Sequence, residues 1–506
     1  MSGASIAPAA PRAARAAFGL AALLGLAALA AYGWTLRLEL LGWDSYPLIA
    51  AARVDSFAAL LRTLTDELMG GRYPDGHFYR PVTQLSFALD RALGGLRPAA
   101  YARTDLALGA LAALMVALVT RRLTGGAMGS GVTGSGVTGS GVTGSGATGN
   151  GATGSGAGGF VGALLAGLVF LLHPAQLEVL PYAPRRADTL AIVFTLATLL
   201  SLGRAHGAWT GALALCALSS KETGVIVAPL ALGWAWLIEG GGQPFKGALM
   251  RCAPIGLALL AALAARFAVL GGLGGHPESG LGALSALGET SRTLVGLVTA
   301  SSSAGGAMLG AVVLALGVAA LWSGDSRRLA WLALAALSAW AITVSAGRAH
   351  GWYALLLVVP VAAFAGLVVA RALDALRGAR QQGALARAFA APLAGVATLA
   401  LAITLAARGG AHSPDPAFDR ASRLARATLT QLDAALATAR PGARAVLRPW
   451  APLVEARSGP VFIHAPYSLV AYAQCVAPTL EVQALVPDAG APPPLDPARW
   501  QLVLAP

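Results

Sequence analysis

The sequence predicts a mainly α, polytopic helical membrane protein that ends in a small α/β domain. Three observations predict it. Of 506 residues, 56% are hydrophobic and only 12% are charged, about half the charge of a soluble chain of this length. The apolar residues are clustered: between positions 16 and 407, run follows run of about 17–22 residues with almost no charge, long enough to cross a bilayer as helices. Beyond position 408 the composition shifts to short apolar stretches punctuated by Pro and Gly. Together these exclude an ordinary soluble enzyme and a disordered or collagen-like chain. Cys216, Cys252 and Cys475 are too few for a disulfide framework, and no Cys/His group has zinc-ligand spacing. The natural division is therefore 1–407 as the membrane domain and 408–506 as the α/β domain.

The net charge of +13 reads as membrane topology, not as a nucleic-acid footprint. Arg12 and Arg15, Arg121 and Arg122, Arg204, Lys246 and Arg251, Arg327 and Arg328, and the group Arg371, Arg377, Arg380 and Arg387 occupy alternate loops. Placing those loops in the cytoplasm satisfies the positive-inside rule. It puts the N-terminus inside and the C-terminal domain outside.

Taken in order, residues 16–36 form a first span that reads as an anchor, because no small-residue cleavage site follows it. Residues 37–103 are a long outer loop. In it Val54, Phe57, Leu60, Leu61, Leu64 and Leu68 recur at helical spacing, with Asp55, Arg62, Asp66 and Glu67 on the other face, the pattern of an interfacial helix. A second short helix is expected over 83–96, with Leu85, Leu89, Leu93 and Leu96 on one side. A span at 104–120 stops at Arg121 and Arg122. The stretch 124–159, built on a GVTGS-like repeat, has neither charge nor bulk and reads as a flexible linker. No Lys-Ser/Thr follows its glycines, so it is no nucleotide loop. Further spans are expected at 160–172, 188–203, 208–219, 223–238, 250–270, 304–322, 329–346, 352–371 and 388–407, about eleven in all, with 285–300 as a half-span candidate. In the tail a helix is expected over 417–439 and strands at 443–448, 460–464, 479–486 and 500–505.

Ionisable groups at membrane level are functional candidates, and here they gather on the outer side: Asp44, Tyr79, Arg80, His173, Glu178, Arg185, Arg186, Asp188, Lys221, Glu222, Arg348, His350 and Tyr353. Arginines on the outer side run against the positive-inside rule, and an anionic ligand gives them a reason, since a guanidinium is a rigid fork of donors matched to phosphate. A phosphate at the outer membrane face points to a lipid-linked substrate.

The stretches that carry these groups are WDSYPLI (43–49), YRPVTQLSFALDRALGGLRPAAY (79–101), LHPAQLEVLPYAPRRADTLA (172–191), LSSKETGVIVAPL (218–230) and GRAHGWYALLLVVP (347–360). In this order they resemble the GT-C superfamily of membrane glycosyltransferases, closest to the branch of the transmembrane and tetratricopeptide-repeat O-mannosyltransferases and their bacterial relatives. The chain departs from that pattern in places. Asp44 is followed by Ser45 where a second acid is common, Gln176 replaces a second His, and no repeats follow the membrane region.

The resemblance implies a GT-C-like membrane fold and a bacterial inner-membrane location. It implies transfer of a sugar from a polyprenyl-phosphate donor to an extracytoplasmic protein or glycan acceptor, with inversion at the anomeric carbon. Asp44 would be the general base. Arg80, Arg186, Lys221 and Arg348 would meet the donor phosphate. Tyr79, His173, Glu178, Asp188, Glu222 and His350 would orient sugar, acceptor or those cations. No cofactor is required, no metal ligands are assigned and no nucleic acid is implied; a divalent metal is compatible with the resemblance, but no dense acidic motif demands one. Two other readings fit the same composition: a catalytically inactive relative, and a transporter or flippase of a lipid-linked or anionic amphiphile, which would show internal repeats and broken helices at mid-membrane.

Overall fold

The computed structural model describes residues 10–71, 76–125, 155–203, 207–240, 244–275, 287–299, 304–346, 351–382, 415–438, 444–448, 453–454, 461–479, 481–484 and 500–503. The chain is a polytopic helical membrane protein. Five helical segments are long and apolar enough to cross a membrane: Ala14–Arg37, Pro98–Leu123, Ala253–Leu270, Asp325–Ser345 and Trp352–Leu376. Three shorter apolar segments, Gly158–Leu172, Gly207–Ser220 and Glu222–Ile238, accompany them.

The first helix, α1 (Ala10–Tyr32), leads into a loop that carries three short helices, α2 (Ser45–Ala51), α3 (Phe57–Thr65) and α4 (Pro81–Gly94). α3 starts where Ser56 offers its hydroxyl oxygen to the Ala59 amide, a serine N-cap. Its Phe57, Leu61 and Leu64 stay exposed, as do Leu89 and Leu93 of α4. Their spacing puts these apolar residues on one open face of each short helix. Both α4 and α5 (Pro98–Leu123) begin on proline, where the missing N–H would have had no partner anyway.

The bundle continues with α6 (Ser155–Leu172), α7 (Arg186–Ser201), α8 (Gly207–Ser220), α9 (Val227–Gly233), α10 (Phe245–Arg251), α11 (Ala253–Leu270), α12 (Leu287–Thr299), α13 (Ala304–Ser345) and α14 (Gly351–Gln382). α7 lies enclosed, with fourteen of its sixteen residues buried. α6 and α14 meet at backbone distance: a Cβ added at Gly162 would collide with the carbonyl oxygen of Gly366, and one at Gly366 with that of Gly162. Small residues bring helices together in this way where lipid supplies no hydrophobic force between them.

Several expected boundaries are corrected. The helix α6 starts at Ser155, so the last residues of the expected linker 124–159 are helical; Gly158 packs so closely on Asp374 that a Cβ would clash. Residues 126–154 lie outside the described residues, as does the expected span 388–407. The stretch that holds the two spans expected at 304–322 and 329–346 is helical from Ala304 to Ser345 and kinks at Asp325 (φ −128°), which divides it into two helical segments, as expected. The carboxylate of Asp325 holds Arg328 and, through Nε at 2.7 Å and Nη2 at 2.8 Å, Arg371, so the break is pinned by ion pairs. The expected span 223–238 is composite: a 3₁₀ turn (Glu222–Ile226), α9 and a π turn (Trp234–Ile238).

In the tail, α15 (Pro416–Thr438) matches the expected helix, and β1 (Arg444–Arg448), β3 (Val461–Phe462), β4 (Glu481–Ala484) and β5 (Trp500–Val503) fall on expected strands, while the two-residue β2 (Leu453–Val454) lies outside them. A helix that the sequence reading did not foresee, α16 (Pro466–Val476), follows β3. β1 runs parallel to both β4 and β5 in the order β4-β1-β5, with Arg444 opposite Glu481 and Ala445 opposite Trp500, while β2 and β3 pair antiparallel. These elements share their cores with the first loop. Tyr46, Leu48, Ile49 and Phe87 pack in one cluster with Leu429, Leu432, Leu469 and Tyr472. Leu38, Leu41 and Tyr182 pack in another with Phe418, Val461 and Ile463.

Candidate active site

The SSKETG segment closes α8 and turns into the 3₁₀ turn. Lys221 is extended there (φ −158°, ψ 155°), and Gly224 lies so close to the Ala217 carbonyl that any side chain would collide with it. The Thr83 hydroxyl donates to the Ser220 carbonyl at 2.8 Å, which staples α4 to this turn. As a result Lys221 and Glu222 stand beside Arg80, the residue just before the first proline of α4.

These residues line an open cleft of roughly 340 Å³. Arg80 donates through Nε at 3.0 Å and Nη2 at 2.6 Å to Glu222 Oε2, with its guanidinium 4.5 Å from the Phe78 ring centre. Arg266 of α11 donates through Nη1 to Glu222 Oε1 at 3.0 Å and through Nε to the Leu273 carbonyl at 2.8 Å. Lys221 Nζ lies 2.5 Å from Asp188 Oδ1 and 5.0 Å from the centre of the Tyr353 ring. Among the described residues three cations thus meet two carboxylates, which leaves one net positive charge. Arg266 Nη2 is buried and has no hydrogen-bond partner among the described residues. Beyond the charged groups the wall turns apolar, with Leu259, Leu263, Val225 and Ile342. The cleft is therefore amphiphilic, with a cationic end and a hydrocarbon-like side.

A second group lies around Asp44. It occupies the N-cap position of α2, yet its side chain caps no amide of that helix. Instead its Oδ1 accepts a 2.6 Å hydrogen bond from the Tyr467 hydroxyl. Two 3₁₀ turns ahead of α7 bear Glu178 (Pro174–Glu178) and Arg185 (Ala183–Arg185). Arg185 stacks 3.4 Å over the Trp352 ring, next to Tyr353 of the cleft. Burial lifts the Glu178 carboxyl to about 7, with Arg185 pulling it the other way.

The expected site residues are thus partly gathered. Arg80, Lys221 and Glu222 line the cleft, and Asp188 braces it through Lys221. Arg186 does not face it. Its side chain is fully buried, 2.6 Å from both Asp90 Oδ2 and Asp105 Oδ1, and it donates to the Tyr101 carbonyl at 3.2 Å. Two carboxylates occupy the fork that was expected to meet a donor phosphate. His173 is also fully buried, and its Nδ1 accepts the Ala175 amide at the start of the turn that leads to Glu178. Tyr79 donates its hydroxyl to the Leu64 carbonyl at 2.6 Å and ties down α3. Asp44 is not among the residues that line the cleft. Arg348 and His350 lie outside the described residues.

Arg266 was missed, although a lone arginine in the apolar run APIGLALLAALAARFAVL is the kind of intramembrane charge that signals a site. The partners Asp90 and Asp105 were missed as well. Tyr467 had no local signal. Among the described residues no group of three or more His, Cys, Asp or Glu side chains is arranged to hold a metal ion.

No family model matches the chain, and no curated protein matches it. Among solved structures, ArnT from Cupriavidus metallidurans bound to undecaprenyl phosphate aligns over 92% of this chain and 90% of that one, at 13% identity and a TM-score of 0.47. The same protein in the apo state aligns over 93% and 90%, at 12% identity and a TM-score of 0.48. The oligosaccharyltransferase of Archaeoglobus fulgidus, in complex with zinc and sulfate, aligns over 91% of this chain and 62% of that one, at 12% identity and a TM-score of 0.46. Likeness at this level carries no argument about activity.

Proposed function

We propose that the protein is a GT-C-type membrane glycosyltransferase that moves a sugar from a polyprenyl-phosphate donor to an acceptor hydroxyl on the extracytoplasmic face. The observation that carries this reading is the amphiphilic cleft. Its single net positive charge suits a phosphodiester, and the apolar wall of α11 and α13 suits the lipid attached to it. Arg80, Arg266 and Lys221 would hold the phosphate as negative charge grows on its leaving oxygen. Asp44 would take the acceptor proton. The acceptor oxygen then bonds to the anomeric carbon from the side opposite the breaking carbon–phosphate oxygen bond, and the configuration inverts. Glu222 and Asp188 would orient the cations, and Glu178 the sugar or acceptor.

The test uses the full chain in lipid nanodiscs with synthetic polyprenyl-phosphate sugars and a panel of glycan and peptide acceptors. Donor-dependent release of polyprenyl phosphate, with an inverted product linkage, is the expected result. Donor binding without release in any acceptor mixture would overturn the transferase reading. Uptake of the lipid across sealed vesicles would replace it with transport.

A further inference from the structure

The segment 42–46 is gripped by residues more than four hundred positions later in the chain. The Gly42 amide donates to the Phe462 carbonyl at 3.0 Å. The rings of Trp43 and Phe462 meet edge-to-face with centroids 4.8 Å apart. Tyr46 packs against His464 at 5.3 Å and against Tyr472 at 4.8 Å. In the middle of this contact, Tyr467 donates its hydroxyl to Asp44 Oδ1 at 2.6 Å. The aromatic contacts would suffice for docking. The hydrogen bond is different in kind, because it joins a half-buried carboxylate to a phenol and leaves α2 without a side-chain cap at Asp44.

We propose that the C-terminal elements form part of the catalytic site and that Tyr467 is the positioning residue for the Asp44 carboxylate. This rests on the reading of Asp44 as general base. A base works only if a lone pair points at the proton it removes. The Tyr467 bond fixes the rotamer of Asp44 through Oδ1. Oδ2, which accepts no hydrogen bond among the described residues, is then left for the acceptor. Trp43, exposed beside it, and the loop ahead of α16 form the wall against which that acceptor would lie. The α/β tail is thus one side of the reaction centre and not a passive appendage.

The experiment compares wild type, Tyr467→Phe, Asp44→Asn and the double variant as full-length protein in nanodiscs, with a polyprenyl-phosphate sugar and an acceptor that wild type uses. Tyr467→Phe keeps the ring and its packing, so the thermal midpoint and donor KM should match wild type. kcat should fall by about tenfold, the weight of one charge-assisted hydrogen bond. In the double variant, Tyr467→Phe should add no further loss, because a positioning residue has nothing left to position. An unchanged kcat in Tyr467→Phe, or a full second loss in the double variant, overturns the proposal while leaving the transferase reading intact. Absence of turnover in wild type with every donor overturns that reading, and the role given to Tyr467 with it.

Discussion

The buried arginine of α7 offers the sharpest test of how the site divides from its scaffold. Arg186 is fully enclosed and faces two carboxylates, Asp90 and Asp105, each at 2.6 Å. Replacing it with Met keeps much of the volume but strands both acids in the bundle. Breaking a buried pair by removing one partner typically destabilises by about 3–5 kcal/mol, because a charge is left uncompensated. Here two acids lose the one arginine fork that holds them among the described residues, so the upper end of that range is expected. The assay is thermal or denaturant unfolding of purified full-length protein in one detergent, with donor binding measured on the folded fraction. Arg186→Met should unfold well below wild type, and its folded fraction should bind the donor lipid normally. Adding Asp90→Asn and Asp105→Asn should recover much of the lost stability, since the stranded charges are then gone. Normal stability combined with lost donor binding would refute this reasoning and restore Arg186 to the phosphate site that its sequence context suggested.

Four further outcomes follow from the same geometry. Arg266→Ala removes a cation that donates to Glu222 at 3.0 Å and whose Nη2 is unpartnered. Donor Kd, read by displacement of a fluorescent polyprenyl phosphate, should rise by about 10–100-fold, the weight of a charge-assisted contact. Asp44→Asn should lower turnover by ~10²–10⁴, the usual range for a general base, while the same displacement assay shows unchanged donor affinity. Glu178, whose carboxyl is lifted to about 7, takes up protons more readily when folded than when unfolded. Its contribution is therefore fully present below about pH 4.5 and is lost as pH rises through about 7; Glu178→Gln should flatten that part of the thermal stability profile. Gly366→Val should separate α6 from α14, since a Cβ there meets the Gly162 carbonyl, and a drop in thermal midpoint relative to Gly25→Ala, which meets nothing within 4 Å, is the check.

What the sequence disclosed and what it hid divide along the range of the interactions. The apolar runs and the short helices of the first loop are local patterns, and they are legible because period is written into neighbouring residues; the starts of α4 and α5 at Pro81 and Pro98 lie a few residues before those expected. The placing of Lys221 and Glu222 was legible for the same reason: SSKETG is a charged break between two apolar stretches. Arg186 misled because its partners Asp90 and Asp105 sit 96 and 81 residues earlier, and a buried ion pair looks, in sequence, like an unpaired charge seeking a ligand. α16 and the Tyr467–Asp44 contact were invisible for a related reason. A tyrosine in a mildly apolar helix carries no mark of the acid it will meet across the fold.

The pairing pattern also constrains how the cleft could take a ligand. An arginine or lysine in an apolar bundle must have a counterion built into the fold, because an isolated charge there is too costly to keep. Glu222 and Asp188 serve that need. Among the described residues they do not supply full neutrality, since three cations meet two acids. An incoming phosphodiester would therefore complete a charge balance that the protein leaves open by one unit, without displacing either carboxylate. A neutral lipid would gain nothing from the same groups. A doubly charged diphosphate would leave the site negative by one. The ratio of affinities for polyprenyl phosphodiesters, diphosphates and neutral polyprenols, measured on one preparation, should thus peak at the phosphodiester. Glu222→Gln, which raises the net charge of the cleft by one, should shift that preference toward the diphosphate. A preference that does not move with this substitution would show that the charge count does not set the selectivity of the cleft.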